Sequence, residues 1–360
     1  MKRKKSAKVS LSDVAKAAMV STAAAGYALR NLPGVSPETR ERILRVAHRL
    51  RYFPDPRLAS RLAGVRNTSS KELLPVIWLN THHEKDAWSR YCFLSPIQEG
   101  ARQRFRELGY KIEEVWTRQP GFSMRRIAQI IEYQGISGVI VTEPARHIRL
   151  NWDRLAGVCL GGGLLIPALH CVATDSNLNL RLAFKTLKRF GYQRIGVCLT
   201  EQADSFSRHG IRAVTLYFNS MLPRARQVRP LFLPSLKPGQ TSVKGIVAAW
   251  LERERPDAVI GLSCNLANWI EAAGFRVPDD IGVAHLAIED DVPDWAGIYA
   301  NKRLVGRFAA NLLADLIRHE EFGAPSVALT TLVPGVWHPG RTLLAPKPKS
   351  PPKFWNSLQK

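Results

Sequence analysis

"LSDVAKAAMVSTAAAGYALRN", residues 11–31, carries helical spacing twice in a run almost devoid of large side chains. Leu11, Val14, Ala15 and Ala18 fall at i, i+3, i+4 and i+7, one narrow apolar stripe, and Ser12 is placed as the N-cap of this first helix. "MVS" (19–21) makes a short turn, and Ser21 can cap a second helix running to about Arg30. A third helix is announced by "VSPETRERILRVAHRLRY" (35–52), with Ser36 as N-cap, Pro37 at the first helical position, and Ile43, Val46, Ala47 and Leu50 on its core face. Small residues let the first two helices approach closely, and a close crossing is what a helix-turn-helix needs. The alanines then serve packing, and the outer face of the second helix is left open.

Charge points the same way. The chain of 360 residues carries a formal net charge of +22, and its first 66 residues hold 15 Lys and Arg against four acids, half the excess on under a fifth of the length. Such clustering attracts polyanions, either nucleic acid or an acidic membrane surface. Hydrophobic content of 45% with 23% charged residues excludes disorder across the whole chain. No apolar run follows "MKRKKSAKVS" and none of 18 residues occurs anywhere, so the expected location is the cytoplasm or nucleoid. Five cysteines (Cys92, Cys159, Cys171, Cys198, Cys264) lack C-x-x-C spacing and read as buried, reduced thiols, with no zinc site and no cofactor implied.

After Gly64 the texture changes to a polar linker, then to short β-rich runs alternating with amphipathic helices. Strands are expected at 75–81, 110–116, 136–143, 156–162 and 171–175, with helices at 96–109 and 123–135; beyond Asp175 a second helix–strand series runs to about residue 287. Regular alternation implies an α/β class with two doubly wound parallel-sheet subdomains behind a small all-α headpiece. The resulting division is a headpiece at 9–53, a hinge helix and linker at 54–72, and a ligand-binding and dimerisation body at 73–345. Within the body the subdomains cover roughly 73–175 and 176–300, with chain crossings near 301 and again near 330. The Pro- and Lys-rich tail, 346–360, is expected to be disordered.

"LSDVAKAAMVS", "GVSPETRERILRVAHRLRYFP" and "ASRLAG" resemble the headpiece and hinge of the LacI/GalR family of bacterial transcriptional regulators, and "VATDSNLNLRLAFKTLKRFGYQRIGVCL" and "GFRVPDDIGVAHL" resemble its body, from about Val9 to Leu344. The resemblance implies a type I periplasmic-binding-protein-like body and a homodimer that sets two recognition helices on a pseudo-palindromic operator in double-stranded DNA. By position, Thr22, Ala23 and Tyr27 would face base edges, with Ser21 and Arg30 near the backbone. The chain departs from the family in placing Tyr27 where an arginine is frequent, which removes a bidentate guanine contact and changes the expected operator. Tyr27 has the alternative of packing over the turn. Leu62 matches the hinge leucine that wedges into the minor groove, with Leu58 as rival because one residue separates this stretch from the usual spacing.

The resemblance also implies a small-molecule effector in a cleft lined by Asp175, Arg212, Asn265 and Asn301, with Arg208 as a rival for Arg212. Two acidic positions of the family are missing: "HLAI" puts Ala287 in place of an aspartate, and Asn265 is followed by Leu266. A sugar or sugar derivative is the expected effector class, and the lost carboxylates leave an anionic ligand, or no ligand at all, as the alternatives. Asp175 and Asn265 could equally cap the helices that follow them. Trp250, Trp269 and Trp295 are expected in the core, "HHEKD" (82–86) in a solvated loop, and "CLGGG" (159–163) in a strand-end turn. An exported solute-binding protein of the same body fold is the competing reading, opposed by the basic helix-turn-helix. Neither G-x-x-x-x-G-K-[ST] nor G-x-G-x-x-G follows an expected strand, and no Ser/His/Asp set can be placed, so no enzymatic activity is expected.

Overall fold

The computed structural model describes residues 9–29, 34–50, 52, 73–90, 93–121, 123–143, 147–161, 166–234, 243–288 and 292–344. The headpiece is three helices, α1 (Leu11–Ala17), α2 (Thr22–Leu29) and α3 (Pro37–Arg49). Ser10, not Ser12, caps α1: the Ser10 hydroxyl accepts from the Asp13 amide at 3.3 Å and the Asp13 carboxylate accepts from the Ser10 amide at 2.8 Å. The reciprocal pair satisfies two helix-end donors at once and sets the helix start at Leu11, two residues earlier than a cap at Ser12 would. Hydrogen bonds donated to the Asp13 carboxylate by the Ser10 amide and by the Ser10 hydroxyl, the latter at 2.7 Å, hold that carboxyl below its ordinary value. Ser21 Oγ accepts from the Ala24 amide at 3.1 Å, and Ser36 Oγ from that of Thr39 at 3.3 Å, with Pro37 at the first helical position. Val14, Ala15, Ala18, Ala25, Ala28, Leu29, Ile43, Val46 and Ala47 form one buried cluster. Ser10→Ala is expected to weaken α1 by about 1 kcal/mol, the usual worth of such a cap, read as faster amide exchange in α1 with α3 unchanged.

The body runs β1 (Leu74–Asn80), α4 (Ala87–Arg90), α5 (Ser95–Glu107), β2 (Tyr110–Trp116), α6 (Met124–Tyr133), β3 (Gly138–Val141), β4 (Ala156–Leu160), β5 (His170–Thr174), α7 (Ser176–Phe190), β6 (Ile195–Thr200), α8 (Glu201–Phe206), α9 (Gly210–Ser220), β7 (Leu231–Leu233), α10 (Val243–Glu254), β8 (Ala258–Gly261), α11 (Leu266–Ala272), β9 (Gly282–Ile288), β10 (Gly297–Tyr299), α12 (Lys302–His319), β11 (Thr330–Val333) and β12 (Val336–His338). Two six-stranded sheets result, ordered β11-β5-β4-β3-β1-β2 and β12-β10-β9-β8-β6-β7. The first is parallel throughout; the second departs from an all-parallel reading because β12 lies antiparallel to β10. Each sheet is covered on both faces by buried apolar clusters.

The direction of β12 follows from where the chain crosses. It leaves the first sheet at the carboxyl end of β11 and enters the second two residues later, so it runs against strands whose carboxyl ends face the same gap. The other crossings, from β5 into α7 and from β10 into α12, also lie at carboxyl ends; α12 packs back on α5 and on strands of the first sheet. Three hydrogen bonds stitch the crossings together: Asp175 amide to Val333 carbonyl (2.9 Å), Asn301 Nδ2 to Pro334 carbonyl (3.0 Å), and Gly335 amide to Asn179 Oδ1 (2.7 Å). The carboxyl edges of the two sheets therefore border a common cleft, the place where open α/β sheets bind ligands.

Candidate nucleic-acid interface and ligand cleft

Small residues on the inner face of α2 decide what its outer face can do. Ala25, Gly26, Ala28 and Leu29 are buried, while Ser21, Thr22, Ala23 and Tyr27 are exposed, so the four described residues expected at DNA share one open surface. Tyr27 is 45% exposed, and its ring lies over the turn at Gly34, where an added Cβ would sit 3.7 Å from Cδ2. One side of the ring thus packs over the turn, as one of the two expectations has it, and the rest of the side chain is open. Exposed Lys16 on α1 and Arg42, Arg45 and Arg49 on α3 supply positive charge around this helix, which has no basic residue in its last turn. Arg30, Leu58 and Leu62 lie outside the described residues.

In the cleft, the expected residues separate into two groups. Asp175 caps α7, its Oδ1 accepting from the Leu178 amide at 2.8 Å, and Asn301, in left-handed backbone (φ 53°), holds Pro334; both belong to the stitched crossings. Asn265 heads α11, is exposed and makes no capping hydrogen bond with its side chain. Arg212 is fastened sideways: its Nε donates to Asp204 Oδ2 at 2.9 Å, its amide to Oδ1 at 3.0 Å, and its guanidinium stacks 4.0 Å from the Phe232 ring centroid. Arg208, also left-handed (φ 53°), is near enough to Cys159 and Cys171 of the first sheet for its charge to act on both thiols, which puts it across the cleft from its own sheet.

Sequence reasoning missed Asp204, the organiser of this corner. Its side chain is fully buried and also meets His209 Nδ1 at 2.8 Å, while the His209 amide donates to its carbonyl. Burial pushes the Asp204 carboxyl up, but hydrogen bonds from His209 and from the Arg212 amide and guanidinium outweigh it and leave the group below the ordinary carboxylate range. The available signal was "ADSFSRHGIR" (203–212), where an acid precedes a histidine by five residues and an arginine by eight. Asn179 was missed as well: it is buried, its Oδ1 serves the crossing, and its Nδ2 has no hydrogen-bond partner.

Ala287 is buried within β9, so no side chain replaces the missing aspartate at that point. Trp250 is buried with its indole N–H on the Arg229 carbonyl at 2.7 Å, and Trp269 and Trp295 pack on the same apolar cluster. His82 and His83 meet edge to face in a loop, and among the described residues no group of three or more His, Cys, Asp or Glu side chains could hold a metal ion. No helix among those residues is long and apolar enough to cross a membrane.

Residues 10–55 match the family described as bacterial regulatory proteins, lacI family, and residues 184–336 match the periplasmic binding protein-like domain. Over 324 residues the chain is 21% identical to the ribose operon repressor of Haemophilus influenzae, covering 86% of this chain and 92% of that one. A lac repressor dimer bound to operator and an anti-inducer shares the fold at TM-score 0.56 and 19% identity, over 94% of this chain and 99% of that one. The transcriptional regulator CelR in complex with cellobiose does so at TM-score 0.54 and 19% identity, over 93% and 99%.

Proposed function

From the premise that this chain belongs, through its matched domains, to the LacI family of bacterial regulatory proteins, we propose that it binds a pseudo-palindromic operator as a homodimer and is switched by a small molecule in the cleft. It is a LacI-type DNA-binding transcriptional regulator, and repression is the role its relatives suggest. The observation that carries the operator reading is the open face of α2, where Thr22, Ala23 and Tyr27 stand clear of a small-residue core fixed by three serine caps. A tyrosine edge reads bases more weakly than a guanidinium, so the outer bases of the operator carry less guanine preference than an arginine would impose. Such a protein works where the chromosome lies.

For the effector we favour an anionic sugar derivative. Arg208 supports this, a cation whose charge reaches the thiols of the first sheet, and Ala287 supplies no carboxylate to oppose an anion. A ligand at a hundred times its Kd would stabilise the protein by about 2.7 kcal/mol, a clear shift in thermal unfolding. Sugar acids and sugar phosphates are expected to give that shift, and the parent neutral sugars a smaller one; the reverse order would overturn the charge assignment. The operator reading is tested by enrichment from a random duplex library at physiological salt. The expected product is an inverted repeat whose half-site centres lie about one helical turn, 10 base pairs, or a multiple apart; an enriched pool without symmetry would overturn the dimer.

A further inference from the structure

Cys159 and Cys171 are register partners on the parallel strands β4 and β5. Neighbouring strands lie about 4.8 Å apart, inside the Cα separation of about 4.4–6.8 Å that a disulfide spans. The two side chains point to one face, in the apolar cluster that also holds Leu155 and Leu169. They face one another across the strand pair, close enough for each thiol to act on the other's ionisation. Cys171 also rests on the Gly161 carbonyl, and Cys159 lies 3.6 Å from that of Leu160. Spacing in the sequence, twelve residues without C-x-x-C, concealed a pair that only the strand register creates.

We propose that Cys159 and Cys171 are a cross-strand dithiol that a hydroperoxide converts to an intramolecular disulfide at the cleft edge of the first sheet. The Cys171 thiolate attacks the peroxide oxygen, the O–O bond breaks, and a sulfenic acid forms on Cys171 as alkoxide or hydroxide leaves. The Cys159 sulfur then attacks the Cys171 sulfur, the S–O bond breaks, and hydroxide departs as water with the Cys159 proton. Two thiols lose two electrons and two protons, and the peroxide becomes an alcohol, or water, plus water.

Unequal environments prepare the pair for these roles. The neighbouring Cys159 thiol and the charge of Arg208 hold the Cys171 thiol below the ordinary range against its burial, while the neighbouring Cys171 and burial push Cys159 up. Cys198, buried without such a partner, is pushed up to about 12 by burial alone. Closing the disulfide removes the thiol from the Gly161 carbonyl at a left-handed glycine (φ 100°) against which the Glu143 carboxylate packs, so the reshaped segment is a wall of the cleft.

This inference stands apart from the DNA-binding reading. Both cysteines lie in one tryptic peptide, Leu155–Arg181, bounded by Arg154 and containing no other Lys or Arg. The full chain is treated with graded hydrogen peroxide, alkylated under denaturing conditions, digested and mapped by mass. The expected result is that this peptide loses both alkyl groups together and becomes two hydrogens lighter than its reduced form, while the Cys198 peptide stays alkylated. In Cys159→Ser, Cys171 should stop at a sulfenic acid that a cyclic diketone traps. Full alkylation of both thiols at peroxide levels that oxidise exposed Cys264, or sulfinic acid without the linked product, would overturn the proposal, and the wild-type map decides this even if the variant fails to fold.

Discussion

Asp204→Ala is expected to lower the stability of the second half of the body by about 2–3 kcal/mol. The buried carboxylate accepts from the Arg212 amide, the Arg212 guanidinium and the His209 ring, and it stands in for the missing side-chain cap of α9, whose own N-cap residue makes none. Deleting it strands a helix-end amide and releases the Arg208–His209 segment, both residues of which are held in left-handed backbone. The loss stays below that of a fully buried ion pair because the Arg212 and His209 side chains are 42% and 70% exposed and can hydrate. A pH dependence accompanies it. Asp204 titrates below the ordinary carboxylate range in the folded chain, so its contribution is present above about pH 4 and lost as pH falls through the folded value. Urea unfolding monitored from neutral to acid pH should show wild type losing this increment while the alanine variant, already lacking it, falls less.

Gly306→Ala is expected to destabilise by about 2–3 kcal/mol, although alanine is the better helix former. A Cβ at Gly306 would drive into the Ile97 carbonyl oxygen and the Ala101 nitrogen of α5, and one at Gly100 into the Arg303 carbonyl of α12. Backbone cannot move aside as a flexible side chain would. These glycines let α5 and α12 approach closely, and through α12 they fix the returning chain on the first sheet. Gly245, in α10, meets nothing within 4 Å, so Gly245→Ala should be neutral or stabilise by up to about 1 kcal/mol. Denaturant midpoints of the two variants should therefore move in opposite directions, or only that of Gly306→Ala should move.

Local signals carried most of the architecture. The apolar stripes, serine caps and strand–helix alternation located the headpiece helices and the strands through β9, because each depends on residues within one or two turns of chain. What escaped depends on distant partners. The antiparallel β12 follows from a crossing that brings Val333 and Val336 into different sheets. The Cys159–Cys171 pairing follows from strand register, and Arg212 turns to Asp204 because that buried carboxylate needs hydrogen-bond donors. On α2 the open face was legible since burial there follows helical period; in the cleft, Asp175 and Asn301 proved to be bound up in the crossings, and only their neighbourhood, not their partners, could be read from sequence.

Specific recognition of DNA by the α2 face is the central claim, and the ratio of two dissociation constants tests it. The full chain and Tyr27→Ala are titrated by fluorescence anisotropy against the enriched duplex and a scrambled duplex of equal length, at several salt concentrations. At physiological salt the enriched duplex should bind wild type at least about 10³-fold more tightly. Tyr27→Ala should cut that ratio by about tenfold or more, the effect of one lost base contact, and leave scrambled-duplex binding unchanged. Equal affinities for both duplexes, falling together with salt and indifferent to Tyr27, would instead make the headpiece a nonspecific polyanion binder and contradict the account.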